Sequence, residues 1–360
     1  MKSKILLIIM LILSLFIFAC SEIVEENIGA DVKPVENEIT EDLTNSEVNK
    51  DVYVEIPMEE VAEDSEEEIM VTDSGVKYLV HPNKILSGGP PMDGIPSLDN
   101  PQYVSLEEAD EWIEDNELVL AIIHKGIKRV YPLQILVWHE IVNDNIAGDP
   151  LLITYCPLCG SGIAFERMID INGERKEVEF GTSGKLYNSN LVMYDRETQS
   201  YWTQIDGKAI VGELTGQELV EVSIDTVVWR DWKKVHPDSE VLSQKTGHFR
   251  NYGKDPYGSY YENSNLFFPV ENEDQSVHPK TIIFGIEVNG VYKAYQEDDL
   301  IDMDGLIEDE VNGVNVKVKR DEAGIVTIMD VDTGNDIVKE RDFWFAWYAF
   351  HPETGLYEVK

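Results

Sequence analysis

Apolar residues in this chain recur mostly at every second position, in short runs separated by glycine turns. "ELVLAIIH" and "KGIKRVYPL" flank Lys125 and Gly126, which predicts two strands joined by a tight turn. Ahead of them "SLEEADEWIEDN" sets Ser105 three residues before Glu108, a capping-box spacing that predicts a short helix. Behind them Pro132 suits the first turn of a helix through "LQILVWHEI", on which His139 would share a face with Ile135 and Leu136. The alternating stretches "GIAFERMI", "KEVEFGT", "NLVMYD", "YWTQI" and "KAIVGEL" predict an antiparallel sheet with turns at "DINGE" and "SGKLYN". In "DTVVWRDWKKVHPD", Val228, Trp232 and Val235 fall at i, i+4 and i+7, an amphipathic helix that Asp225 or Thr226 can cap. The fold class is therefore α+β, predominantly antiparallel β with a few short helices.

The pattern also echoes itself. "KGIKRVYPL" and "DNIAGDPLLITY" reappear as "NGVYKAYQE" and "DEVNGVNVKVKR", with Tyr131 on Tyr295 at an offset of 164 and Asp144 and Gly148 on Asp309 and Gly313 at 165. This predicts an internally duplicated strand, strand, helix, strand unit, with a first copy over about 117–156 and a second over about 281–319. The helix is weaker in the second copy, "DDLIDM", and that copy has no cysteine.

The amino terminus is different in kind. Lys2 and Lys4 precede an apolar run, Ile5 to Ala19, that stops at Cys20, so residues 1–19 read as a signal peptide and "IFAC" as a lipobox with Cys20 the lipidated residue. The run is shorter than the roughly 20 residues of a spanning helix. Residues 20–75 read as a disordered acidic tether: between 21 and 75 stand 19 Asp and Glu against two Lys. As a flexible chain, about 55 residues would hold the following domain on the order of 40 Å from a membrane. The domain itself is expected over residues 76–360, which contain all seven tryptophans.

The formal net charge of −40 excludes nucleic acid as a natural partner, because polyphosphate would be repelled. No glycine-rich phosphate loop follows a strand and no serine stands in a nucleophile elbow, so neither nucleotide binding nor serine hydrolysis has support. The expected partners are a membrane, through the lipid, and an unknown redox partner or small ligand.

The chemistry concentrates in "LLITYCPLCGSGIAFER". Apart from Cys20, Cys156 and Cys159 are the only cysteines. Two sulfurs at this spacing can exchange with a substrate disulfide, hold one tetrahedral ion, or form a structural disulfide. Pro157 could open a helical turn whose dipole favours thiolate at Cys156. A copper or zinc site would need more ligands, with His139 the best placed and His124 and His351 weaker. Four of the seven histidines precede proline, at His81, His236, His278 and His351, and read as turns. Ser183, Lys185, Tyr187 and Asn188 in "SGKLYNSN" are candidate substrate contacts, and Trp202 and Gln204 candidate pocket walls; a polar turn and a sheet core account for them equally simply.

"TYCPLCGSGIAF", "FGTSGKLYNSNLVMYDRETQSYWTQ", "GELTG", "VVWRDWKKVHPDSEVL" and "YGKDPYGSYY", with "SGGPPMDGIPSL" and "VWHEIVND", together resemble the prokaryotic family named domain of unknown function 3179, from about residue 80 to the end. The resemblance implies no established activity. Some relatives in that family are described as selenoproteins in the cysteine motif, which implies redox use of that position. The expected function is thus an extracytoplasmic, membrane-tethered lipoprotein whose Cys156 and Cys159 act in thiol–disulfide redox chemistry or redox sensing. The alternatives are copper or zinc binding by the same sulfurs, and a binding module with a structural disulfide.

Overall fold

Two-residue turns in left-handed backbone set the register of this fold. Lys125–Gly126 (φ 49° and 84°) closes Leu118–His124 onto Ile127–Pro132, and Ala147–Gly148 (φ 54° and 88°) closes Ile141–Ile146 onto Asp149–Cys156. Such turns match the twist of antiparallel strands. The same geometry recurs at Asn289–Gly290 and Asn312–Gly313, which close Ile282–Val288 onto Val291–Gln296 and Leu306–Val311 onto Val314–Arg320. These elements belong to a computed structural model that describes residues 68–359. The stretch read as a signal peptide, Cys20 and the part read as a tether as far as residue 67 lie outside the described residues.

The protein is mostly antiparallel β-sheet with a few short helices. Five strands form one sheet, in which Asp225–Val228 joins Leu118–His124 antiparallel and Glu240–Leu242 joins Ile127–Pro132 parallel, with Tyr103–Ser105 at the edge. A four-stranded sheet carries Ile141–Ile146, Asp149–Cys156, Ser161–Glu166 and Glu221–Val222. Towards the carboxyl end, Lys339–Phe343 joins Ile282–Val288 antiparallel and Gly355–Leu356 joins Val291–Gln296 parallel. Leu306–Val311, Val314–Arg320, Val326–Asp330 and Asp336–Ile337 make a further four-stranded sheet. Residues 168–211 supply a small hairpin and the middle of a seven-stranded sheet: Phe180–Tyr187, Asn190–Asp195, Tyr201–Thr203 and Ala209–Val211, completed by short strands from residues 70–87.

Several local expectations shift. Ser105 does cap Leu106–Ala109, its hydroxyl accepting from the Glu108 N–H at 3.2 Å. The helix expected through "LQILVWHEI" is a single turn, Leu133–Leu136, with Pro132 just ahead of it; Glu140 at φ 58° turns the chain into the next strand. The "DDLIDM" helix, expected to be the weaker, is the longer at Glu297–Asp302. Asp225 and Thr226 are not caps. They lie in a strand, and Trp229–Val235 starts from Val228 with no side-chain cap, burying Trp229 and Trp232. "SGKLY" is strand rather than turn, with a bulge between Thr182 and Lys185; the reversal falls at Asn188 and Ser189 (φ 50° and 60°). Gly184 in that bulge has φ 70°, and a Cβ there would strike the Pro90 carbonyl. Within the stretch read as tether, Met70–Val71 is a strand paired with Lys77–Tyr78. Among the described residues no helix is long and apolar enough to cross a membrane.

Candidate functional site at the buried cysteine pair

Cys156 ends one strand and Ser161 begins the next, directly opposite it, so "CPLCGS" is the head of a hairpin. The Cys159 N–H bonds the Cys156 carbonyl at 3.1 Å and the Gly160 N–H reaches the Pro157 carbonyl at 3.4 Å. No helix follows this turn, so the dipole argument for a Cys156 thiolate has no helix to rest on. Gly160, at φ 64°, lets the turn lie flat against Phe343, whose ring would be 2.9 Å from any Cβ there.

Both thiols are free and buried, 2% exposed at Cys156 and 0% at Cys159, with their Sγ atoms 3.1 Å apart. The Cys159 thiol donates towards the Ser189 carbonyl at 3.5 Å and accepts from Asn190 Nδ2 at 3.3 Å. Burial pushes the Cys159 thiol well above its ordinary range; the Cys156 contact adds to this, and Asn190 opposes it. Behind the sulfurs Gln204 is a hub. Its Oε1 accepts from Asn190 Nδ2 at 2.7 Å and Ser161 Oγ at 2.8 Å, and its Nε2 donates to Thr154 Oγ1 at 3.2 Å. Asn190 Oδ1 takes the Gln204 and Ile205 N–H groups, each at 3.1 Å.

The walls come from distant parts of the chain. Phe165, Trp202, Met193 and Phe180 stand on one side, and Phe343, Phe345 and Ala346 on another. An aromatic strap over residues 257–270 covers the hairpin head, tied by the Tyr260 hydroxyl donating to the Leu158 carbonyl at 3.0 Å. Lys280, itself buried, pins the strap by donating to the carbonyls of Tyr260 (2.5 Å), Asn263 (2.7 Å) and Asn265 (2.8 Å). Asp342 completes the surroundings. It is 0% exposed, neither carboxyl oxygen has a hydrogen-bond partner, and the next residue, Phe343, donates its N–H to the Cys159 carbonyl at 2.8 Å.

Of the residues singled out in the sequence, Gln204 reaches the pair through Asn190, and Trp202 packs in the same apolar cluster with its Nε1 donating to Asp195 at 3.0 Å. The Ser183 hydroxyl donates to the Val192 carbonyl and accepts the Lys185 N–H at 3.1 Å, an internal brace of the bulge. Tyr187 donates to Glu271 at 2.6 Å, and Asn188 spans the Ala349 carbonyl and the Glu271 N–H. Their polar contacts therefore serve the strand and its neighbours rather than the sulfurs. His139 is engaged elsewhere. Its Nδ1 meets the Pro96 carbonyl at 2.8 Å and its Nε2 the Tyr252 hydroxyl at 2.7 Å, in a different apolar cluster's surroundings; burial lowers its pKa to about 4. His124 pairs with Asp149 at 2.5 Å and His351 stacks on Tyr292, with Asp206 3.2 Å away. Among the described residues no group of three or more His, Cys, Asp or Glu side chains is arranged to hold a metal ion. Asn190, Ser161, Thr154 and Asp342 went unnoticed in the sequence. Asn190 ends the quoted "SGKLYNSN", whereas Asp342 carries no local signal at all.

A family model described as protein of unknown function (DUF3179) matches residues 92–354. No curated protein and no solved structure matches the chain.

Proposed function

This chain belongs to that family of unknown function, DUF3179, and we propose that Cys156 and Cys159 are a redox pair, cycling between dithiol and disulfide, in a lipoprotein tethered by Cys20 on the extracytoplasmic side of a membrane. The contact that carries the reading is the 3.1 Å between two free sulfurs, which roughly 1 Å of movement would convert to a bond. An oxidising exterior is where such a pair would be drawn on. The electron partner is a disulfide-bearing protein or small molecule, reaching the pair when the aromatic strap lifts.

A duplicated scaffold fits this reading. Tyr131 donates to Asp144 at 2.5 Å and Tyr295 to Asp309 at 3.4 Å. Trp232 and Trp347 each donate to a hydroxyl, Ser239 at 2.9 Å and Thr354 at 2.8 Å, which in turn donates to the carbonyl of His236 or His351. The first pairs differ by 164 or 165 residues and the second by 115, so the first copy would hold about 49 more residues, those of the seven-stranded sheet. At the hairpin position of "CPLCG", the second copy has the turn 321–325. The cysteines and the inserted Asn190 and Gln204 therefore occur together and in one copy.

The complete burial of both sulfurs favours a second reading, in which the pair only staples the hairpin. Thiol titration of the native protein separates the two. Reversible loss and gain of two thiols with a mild oxidant and reductant, abolished in Cys156→Ser and in Cys159→Ser, is expected for the redox pair. A disulfide that withstands mild reductant until the protein unfolds would sink it. Membrane fractionation of Cys20→Ser, which should lose the lipid and leave the membrane fraction, tests the tether.

A further inference from the structure

The two sulfurs are held unequally. Cys156 Sγ donates to Cys159 Sγ at 3.1 Å, its only hydrogen bond among the described residues. Cys159 Sγ also has Asn190 Nδ2 at 3.3 Å and the Ser189 carbonyl at 3.5 Å, and its own carbonyl is tied by the Phe343 N–H at 2.8 Å. Cys156 can therefore turn towards a partner by giving up one contact, while Cys159 stays fixed. The titratable groups that face Cys159 are Cys156 on the same turn, Tyr155 on the preceding strand, Tyr260 on the strap and Asp342 on Lys339–Phe343; none is a cation. Once Cys156 is bound to a partner it has no proton to give, and the Asn190 amide is then the one donor among the described residues that reaches the Cys159 sulfur.

That amide is aimed by backbone groups that cannot reverse their roles. Asn190 Oδ1 receives the N–H groups of Gln204 and Ile205, each at 3.1 Å, so the other end of the side chain is the NH2. It donates to Gln204 Oε1 at 2.7 Å and to Cys159 Sγ. Gln204 is fixed in the same way: its Nε2 faces the Ser161 carbonyl at 3.4 Å and Thr154 Oγ1, whose own proton goes to the Ile163 carbonyl at 2.8 Å. A donor held in place by the fold needs no reorganisation when charge develops beside it.

We propose that Cys156 is the attacking cysteine and Cys159 the resolving one, with the Asn190 amide the catalytic donor to the Cys159 sulfur as it becomes a thiolate; this rests on the redox reading of the pair. In the first step, under the lifted strap, Cys156 loses its thiol proton to water and its sulfur attacks the partner disulfide R–S–S–R′; that S–S bond breaks, and R′–S⁻ takes a proton from water and leaves as a thiol. In the second, Cys159 loses its proton to water and its sulfur attacks Cys156 Sγ; the bond from Cys156 to R–S breaks, and R–S⁻ is protonated and leaves. Two electrons pass from the cysteine pair to the partner, and the two protons released match the two taken up. A hydrogen bond to an ionised sulfur is worth about a tenfold gain in thiolate fraction. The accompanying fall in nucleophilicity takes back about threefold, which leaves about threefold in rate.

The test uses the reduced full chain with oxidised glutathione, quenched with acid, with the adduct located by peptide mass. Glutathione is expected on Cys156 and not on Cys159, transient in the wild type and persistent in Cys159→Ser. In Asn190→Ala, resolution near neutral pH should slow by about threefold, and its rise with pH should be displaced upward by about one pH unit. An adduct on Cys159, or an unchanged rate and pH profile in Asn190→Ala, overturns the proposal while leaving the redox pair standing. Failure of the wild type to form either mixed or internal disulfide overturns the redox reading itself. Should Asn190→Ala not fold, the side-chain amide resonances of the wild type decide: an Asn190 Nδ2 proton must shift as the reduced pair is titrated, and a resonance that stays still refutes the role.

Discussion

At the residue scale, the site is held by amides rather than by charges. Gln204 is 0% exposed and spends its side chain on Asn190, Ser161 and Thr154, so the hairpin head and the inserted strands share one polar node. Gln204→Leu should cost roughly 2–4 kcal/mol, since it strands buried donors and acceptors on three partners at once. Denaturant midpoints at constant m check this. Lys185→Ala, 19 residues earlier in the chain and half-exposed, should stay within about 0.5 kcal/mol. Gln204 was visible in the sequence as a polar residue after an apolar strand, while its worth depends on Asn190, 14 residues earlier across a strand pairing.

At the element scale, the strap is what covers the cysteines. Residues 257–270 carry Tyr257, Tyr260, Tyr261 and Phe268 onto the cysteine cluster with only a short 3-10 turn, Gly258–Glu262, of regular structure. What replaces a backbone ladder is Lys280, whose ammonium serves three strap carbonyls and lies 3.4 Å over the Tyr260 ring. Lys280→Met keeps the aliphatic stem and removes all three bonds. Native-state alkylation of the cysteines by a small maleimide should then accelerate by about tenfold or more, without a change in the circular dichroism of the sheets. An unchanged alkylation rate would mean that the strap is held by its aromatic packing alone. Nothing in "YENSNLFFPV" marks it as a lid, because its partners lie in the hairpin some 100 residues earlier, as with Tyr260 on Leu158.

At the scale of the whole molecule, charge and burial set the pH at which the fold is firmest. Burial raises Glu140, Glu221 and Asp342 each to about 8. The folded chain therefore keeps protons that the unfolded chain has released from about pH 4 upward, and the stability this contributes is lost as pH rises through 8. Asp110, held low chiefly by the Lys233 hydrogen bond, acts in the opposite sense, its contribution being lost as pH falls below the ordinary carboxylate range. The formal net charge of −40 adds repulsion that grows as carboxyls ionise. Melting temperature should peak in weak acid and decline from about pH 5.5 to 8.5, less steeply in Glu140→Gln. A rising or flat profile would contradict the buried protonated acids.

What the sequence determined by itself is local: the antiparallel strands, most of the turns that join them, the Ser105 cap and the cysteine spacing. Period-two patterning and left-handed turn residues act over a few positions, so they can be read from neighbours along the chain. The tertiary structure alone decided which of those pieces meet. It sent His139 to Pro96 and Tyr252, gave Ser183 to the bracing of its own strand and Tyr187 to Glu271, and set Phe343 against the cysteine turn through its N–H on the Cys159 carbonyl. A buried polar group takes its character from whatever desolvates and faces it, and some of those neighbours lie far along the chain, as Tyr252 does from His139 and Phe343 from Cys159.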